Sequence, residues 1–318
     1  MDLRQLEYFV RIVERGSFSG AARALGVAQP ALSKRVATLE AELGTQLLVR
    51  TARGAHATEP GADFFRHAVA ILSQVERARR GAAGEKGAPS GPVAIGMLSS
   101  LAPFVGVPLL TEAAAQLPDV RLHVAESLTG DILERVQRGS LDIGVVTSQT
   151  PPKDMAARAL FAEDLFYVST RERAKTSLSG DTVRLKDIAR EPFVLPSKRL
   201  PLREQIESAF AEAGERINVV GEFDTVHSLK AAAESGFTAA ILPWSALQQA
   251  GRNDHLSVAR IVAPRLTRTA WVCTSTVLPL SPAARAVFDL VPQVVKRLIG
   301  GRKIAGARLA GGAGGAPL

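Results

Sequence analysis

Apolar residues recur every three or four positions near the start of the chain, at Leu6, Phe9, Val10 and Val13. That spacing predicts an amphipathic helix over residues 3 to 15, stopped by Gly16. Ser17-Phe18-Ser19 offers capping hydroxyls, and Gly20-Ala21-Ala22-Arg23-Ala24-Leu25 reads as a short second helix whose small residues let a neighbour come close. Gly26-Val27 makes a tight turn. A third helix starts at Gln29, with Pro30 in its first turn, where a missing N–H costs little. Projected at about 100° per residue from Gln29, Leu32, Val36, Leu39 and Leu43 fall between roughly 280° and 340°. Gln29, Pro30, Ser33, Lys34 and Ala37 fall between roughly 0° and 140°. One face is expected to pack and the other to stay free.

The run Thr51-Ala52-Arg53-Gly54-Ala55-His56-Ala57-Thr58 has a central glycine and flanks suited to a short hairpin. Beyond Pro60-Gly61 a helical pattern continues to about Arg80, with Phe64, Ala68, Ile71 and Val75 in one row and Phe65, Val69 and Leu72 beside it. So wide a stripe needs a partner, either the same helix of a second copy or the C-terminal half of the chain. Residues 81 to 91 are small and flexible and mark a boundary. After it, strand-like stretches at Val93 to Leu98, Arg121 to Ala125, Asp142 to Val146, Leu165 to Ser169, Phe193 to Leu195, Ile217 to Phe223, Thr238 to Leu242 and Thr269 to Thr274 alternate with helical ones. That is the α/β order of a mostly parallel sheet, given twice. Gly300 to Leu318 has no hydrophobic period, so residues 299–318 are expected to be a disordered tail.

With 318 residues, 46% hydrophobic and 22% charged, the chain suits two or three ordinary globular domains. Its start lacks the basic patch and apolar run of a secretory signal, which predicts a cytoplasmic protein. The longest uncharged stretch, Val93 to Leu110, is interrupted by Ser99, Ser100, Pro103 and Pro108, which argues against a membrane span. A single cysteine, Cys273, excludes an internal disulfide, and five histidines lie scattered without metal spacing, so no metal or cofactor is expected. The net charge of +8 is unevenly placed: residues 1 to 90 carry +4, residues 91 to 289 carry −1, and five bases without an acid follow. Such a division fits an anionic polymer at the N-terminal end and a small-molecule or protein task in the middle.

The free face of the third helix presents an amide, a hydroxyl and cations, the groups that reach base edges and phosphates from the major groove. Gln29, Pro30, Ser33, Lys34 and Arg35 are the candidates there. A helical bundle with a merely solvated face is the alternative. Spaced segments then narrow the choice. Ala21-Ala22-Arg23-Ala24-Leu25, Ala28-Gln29-Pro30-Ala31-Leu32-Ser33, Leu39-Glu40 and Leu43-Gly44-Thr45-Gln46-Leu47-Leu48-Val49-Arg50 together resemble the signature of LysR-type transcriptional regulators. Two positions depart from it: Leu48 stands where the family usually has Phe, and Ala28 where it often has a Ser cap. Ile12-Val13, Ala28-Gln29-Pro30, Val36-Ala37-Thr38-Leu39-Glu40 and the stretch Leu48 to Gly54 look closest to the nitrogen-assimilation control branch.

The resemblance covers residues 1 to 298 and implies an α+β multidomain protein. Residues 1–60 would form a winged helix-turn-helix, with Arg50 and Arg53 of the wing on phosphate or in the minor groove. Residues 61–90 would be a linker helix that pairs two copies, and residues 91–298 a two-lobed α/β effector domain like the periplasmic binding proteins. Gly91 to Gly96, Leu141 to Val146 and Ala232 to Pro243 are similar to family segments there, placing lobe I at 92–165 plus 268–298 and lobe II at 166–267. Ligands of such folds sit at strand ends against helix N-termini that favour anions. Ser99, Ser100, Thr129, Thr147 and Ser197 are therefore the candidate effector residues, with Thr225 and His227 as lesser ones. Each hydroxyl has a competing role as a cap or turn. The implied partners are double-stranded promoter DNA, a small-molecule metabolite with a preference for an anion, a second or further copies in a homodimer or homotetramer, and RNA polymerase. Two rivals remain at this level: an architectural DNA binder without ligand sensing, and an enzyme using Cys273, whose apolar setting instead suits a buried structural thiol.

Overall fold

Three apolar stripes near the start of the chain close on one another. The computed structural model describes residues 1–51, 54–82, 88–174, 180–247, 255–300 and 306–310. The chain divides into two units, residues 1–86 with 138–140, and residues 87–137 with 141–318. The first unit holds α1 (Leu3–Arg15), α2 (Phe18–Leu25), α3 (Gln29–Leu43), a hairpin of β1 (Leu48–Thr51) and β2 (Gly54–Ala57), and α4 (Glu59–Ala82). Phe9, Ile12, Leu32, Leu39 and Leu47 are fully buried together, each contributing about 1.5–3 kcal/mol by leaving water. Leu43, expected on the packed face, is 39% exposed because it closes the last turn of α3 beyond the reach of α1 and α2.

Caps and one carboxylate set the boundaries. Asp2 and Gln5 satisfy each other's backbone N–H groups at the start of α1. The hydroxyl of Ser17 accepts from Gly20 N at 3.0 Å, so α2 starts at Phe18, earlier than its small residues suggested. Ala28 gives α3 no side-chain cap. Glu40, on α3, accepts from Leu47 N at 2.8 Å and Leu48 N at 2.9 Å, which pins the hairpin to the helix and starts it at Leu48 rather than Thr51. The α4 stripe is divided: Phe64 meets Phe9 edge-on at 5.3 Å, and Phe65, Val69 and Leu72 join the same core, while Ile71 is 38% exposed.

The second unit contains β3 (Gly91–Met97), a π-helical turn (Ala102–Gly106) running into α5 (Val107–Gln116), β4 (Val120–Glu126), α6 (Thr129–Gln137), β5 (Ile143–Ser148) and β6 (Met155–Thr170). It continues with α7 (Arg171–Ala174), β7 (Thr182–Arg184), α8 (Leu185–Ile188), β8 (Pro192–Leu195), α9 (Pro201–Glu212), β9 (Asn218–Glu222), α10 (Val226–Glu234), β10 (Ala239–Pro243) and α11 (Trp244–Leu247). Then come β11 (Leu256–Ala263), β12 (Thr267–Ser275), α12 (Pro282–Gly300) and β13 (Ala307–Leu309). No described helix is long and apolar enough to cross a membrane.

Each lobe has a parallel core, β4-β3-β5 in one and β9-β8-β10 in the other. The lobes are joined through antiparallel strands, so the sheet is mixed rather than mostly parallel. β6 spans both: its first half pairs with β12 and its second half with β10 and β11. The sequence pattern showed only residues 165–169 of this strand, because Arg158, Glu163 and Asp164 interrupt the apolar run; in the fold the two acids are buried against arginines. The expected disordered tail is corrected for its described residues, residues 301–305 and 311–318 lying outside them. Residues 299 and 300 end α12, and residues 307–309 form a strand on β6, since the outer edge of β6 in lobe I offers unpaired backbone groups.

Gly61 carries a close approach that only glycine allows, since a Cβ there would lie 1.9 Å from the carbonyl oxygen of Leu47. Gly61→Ala is expected to push the hairpin off the start of α4 and cost about 1–3 kcal/mol. The denaturant midpoint of unfolding measures it; an unchanged midpoint would show that the hairpin moves away freely.

Candidate nucleic-acid interface and interlobe pocket

In α3 the burial pattern separates a packing row from a presenting row. Leu32, Val36 and Leu39 are at most 2% exposed, whereas Gln29, Pro30, Lys34, Arg35 and Ala37 are exposed and Ser33 is half-buried. Gln29 Nε2 donates to Ser33 Oγ at 3.2 Å, one turn along, so the amide and hydroxyl hold each other in place on the free face. Ser33 and Arg50 line one recess of about 300 Å³, closed by Glu40, Gln46 and Leu48. Arg50 stacks with its guanidinium carbon 3.9 Å from the centre of the Phe18 ring, which orients the side chain while its charge stays exposed.

Arg35 differs from the rest. Its Nη1 donates to Asp2 Oδ2 at 3.0 Å, across the start of α1, with both side chains about half exposed. The Asp2 carboxyl is held below its usual range, first by the backbone N–H of Gln5 and also by Arg35. Arg35 therefore joins α3 to α1, and its DNA contact would have to share the guanidinium with that pair. Arg53 lies outside the described residues.

A second site lies between the lobes of the C-terminal unit. Ser99 and Ser100 after β3, Thr129 at the first turn of α6 and Thr147 on β5 come together on one wall of a cavity of about 60 Å³. Pro196, Leu200, Leu202, Asp224, Val226 and Leu229 supply the facing wall from lobe II. Pattern reading missed Asp224 and Arg268. The first sits in a loop before α10, and the second is a buried charge on a strand, which no periodicity announces.

Three expected effector residues are not in the walls. The backbone N–H of Ser197 donates to Asp224 Oδ1 at 3.2 Å, so Ser197 supports the wall from behind. The Asp224 carboxyl is held below the usual carboxylate range, first by the Ser197 side chain and then by Arg199. Thr225 is the N-cap of α10 and accepts from Ser228 N at 3.2 Å, the structural role available to any hydroxyl at such a position. His227, in the first turn of α10, points away and is exposed.

Arg268 closes the floor. Its Nε donates to Glu163 Oε1 at 2.7 Å and its Nη2 to Ser100 Oγ at 2.9 Å. Glu163 also accepts from Ser245 N at 2.8 Å. The guanidinium that could have met an anion is thus matched by a carboxylate with no solvent exposure, and Asp224 adds a further negative charge to the wall. Asp224 in turn is paired with Arg199 at 3.0 Å, so the described charges of this cavity are matched within the protein. Cys273 is not among the residues that line the cavity, and burial pushes its thiol up to about 12, the opposite of an activated nucleophile. Among the described residues no three potential metal ligands cluster.

Comparison with known proteins places both units of the chain in one family. The family model for the LysR substrate binding domain matches residues 86–296, and that for bacterial regulatory helix-turn-helix proteins of the lysR family matches residues 3–62. The nitrogen assimilation regulatory protein nac of Escherichia coli (strain K12) is 35% identical over 296 residues, covering 93% of this chain and 95% of that protein. Its counterpart from Klebsiella aerogenes is 34% identical over 298 residues, covering 93% and 96%. Among solved structures, full-length CbnR complexed with its target DNA matches with a TM-score of 0.69 at 22% identity, over 93% of this chain and all of that one.

Removing one partner of the buried Arg268–Glu163 pair leaves the other charged and unsolvated. Arg268→Met is expected to cost about 3–5 kcal/mol, whereas Arg35→Ala, at an exposed pair, should cost about 1 kcal/mol or less. Equal midpoints for the two variants in urea would mean that water reaches Glu163 once Arg268 is gone.

Proposed function

Given that the chain belongs to the LysR family of bacterial regulatory helix-turn-helix proteins and is a DNA-binding transcriptional regulator, we propose that the exposed row of α3 reads promoter bases in the major groove. One observation carries this. Gln29 and Ser33 are joined on the side of α3 opposite its buried leucines, with Lys34 and Arg50 beside them. An amide and hydroxyl so placed suit base edges, and the two cations suit flanking phosphates. Arg53, next to Arg50 in the sequence of the wing, is a further phosphate contact in this reading. The target of CbnR named with its structure is DNA, which agrees with this use of the fold.

The regulatory half of the proposal is that a small polar metabolite enters the interlobe cavity and hydrogen-bonds to Ser99, Ser100, Thr129 and Thr147. The cavity is several-fold smaller than the roughly 300–1,000 Å³ of a typical ligand pocket, so a metabolite of more than a few atoms enters only when the lobes part. Ligand binding and lobe angle are therefore one equilibrium, and a ligand acts through unequal affinity for the two arrangements. The protein works in the cytoplasm, as a homodimer or homotetramer that sets paired reading heads on an interrupted dyad, with RNA polymerase as its protein partner. The exposed Ile71 on α4 is available for such pairing.

Ser33→Ala should weaken binding to the cognate promoter about ten-fold or more while leaving random duplex almost unaffected, since one good base contact discriminates by about 1–3 kcal/mol. Lys34→Ala should weaken both and lower the salt slope by about one. Fluorescence anisotropy at several salt concentrations separates them; equal losses on cognate and random DNA for Ser33→Ala would remove Ser33 from the base-reading set. For the cavity, a metabolite that raises the melting temperature of the native protein should fail to do so in Thr147→Val.

A further inference from the structure

The strand β13 lies beyond the residues matched by the effector-domain family model, yet it sits on the element that joins the lobes. We propose that β13 is a built-in strap that fixes the angle between the lobes, and that its release is the step which frees them to rotate. This goes beyond the ligand and DNA reading and does not depend on it.

Four observations support it. First, β13 pairs antiparallel with β6 at Phe161, Ala162 and Glu163, where β6 leaves lobe I. The bonding reaches past the strand at both ends, with Asp164 N donating to Gly306 O at 2.7 Å and Ala310 N to Leu160 O at 3.2 Å. Second, the strap touches both lobes. Ala307 packs against the lobe I core, whereas a Cβ on Gly306 would lie 2.8 Å from Phe166 and 2.9 Å from Trp244, which belong to the lobe II half of β6 and to α11. Gly306 also has φ +102, a conformation L side chains rarely adopt, so the slot accepts glycine and little else.

Third, Arg308 Nη1 lies 3.4 Å from Asp164 Oδ1, and Asp164 is held in a fork by Arg265 Nε and Nη2, each at 2.9 Å. Arg265 belongs to the connection from β11 to β12, the second crossing between the lobes. One buried carboxylate thereby ties the strap to both crossings. Fourth, the strap is short and weakly secured: three residues, an arginine half exposed to solvent, and Leu309 39% exposed. Asp164 is buried, but the Arg265 fork keeps it paired when Arg308 leaves, so the half-exposed arginine of the strap adds little hold. Such an attachment can open while the cores of both lobes, which it hardly enters, remain folded.

The test uses the full chain, a chain ending at residue 305, which keeps Arg302 and Lys303 and removes β13, and the variants Gly306→Val and Arg308→Ala. Spin labels at Glu212→Cys in lobe II and Val277→Cys in lobe I report the lobe separation, and Cys273 is too buried to compete for the label. Native-state hydrogen exchange reports the amide of Asp164. The shortened chain and Gly306→Val are expected to exchange that amide at least ten-fold faster and to broaden or shift the label distance, with Arg308→Ala showing the same changes more weakly. If exchange speeds up while the distance distribution stays that of the full chain, β13 only covers a sheet edge and the proposal falls; it falls equally if neither changes. Should the shortened chain fail to fold, Gly306→Val and Arg308→Ala decide by the same two measurements.

Discussion

Two adjacent carboxylates, Glu163 and Asp164, are the constraint on which the C-terminal unit turns. Neither has any solvent exposure, and on a strand consecutive side chains point to opposite faces. Glu163 therefore faces Ser245 and Arg268, whose guanidinium also reaches Ser100 on the cavity wall, and Asp164 faces away, toward Arg265, Arg308 and, at 4.0 Å, Arg260. Two charges buried without partners would cost far more than the fold can supply. Arg268 for the one and Arg265 for the other are consequently not optional, while Arg260 of β11 and Arg308 of β13 stand farther off as additional partners. Satisfying these two acids brings together the parts of the chain that must stay near the crossing. An apolar pair of the same size would fill the space without specifying which segments have to meet there.

The N-terminal unit depends on a related device with a single acid. Glu40 stands near the end of α3, and by accepting from Leu47 and Leu48 it fixes where the hairpin leaves the helix. Thr58 continues the chain of bonds, donating to Gln46 O at 2.7 Å and accepting from Gly61 N at 3.0 Å, so the hairpin is held at its base by α3 and at its exit by α4. Arg50 is thereby set over Phe18, and its charge over the recess that Ser33 shares. The position of the wing cation relative to the reading helix is a consequence of backbone N–H groups finding one carboxylate.

What the sequence made legible follows from what periodicity can report. The rows Leu32, Val36, Leu39 and Gln29, Ser33, Lys34 are separated by the helical repeat alone, and the spaced segments around them resembled one family closely enough to give the fold class. Charge on a strand was not legible. Arg268 and Glu163 look like surface residues in a pattern that weighs each position by its own polarity, because their burial is made possible only by a partner a hundred residues away. The tail misled for a similar reason: Gly306 to Ala310 has no hydrophobic period, and its order comes from backbone bonds to an edge elsewhere in the chain. Thr225 and His227 flank the first residue of α10; the structure uses the one as the helix cap and leaves the other exposed, while Val226 between them lines the cavity.

The placement of the two acids also bears on how the cavity could communicate. Ser100, on the cavity wall, accepts from the same guanidinium that pairs with Glu163, so a ligand that displaces that bond acts on Glu163 directly. Glu163 and Asp164 share a peptide unit within β6, and any rotation of the strand that relaxes one side must alter the other, where Arg265 forks onto Asp164. That pairing raises the Arg265 pKa above its ordinary value, with Asp164 as the largest cause. A packed, fully paired crossing of this kind resists gradual deformation and instead exchanges between discrete arrangements of its ion pairs. The lobe angle of such a unit is then set less by the surfaces that face each other across the cavity than by which arginines the two carboxylates hold.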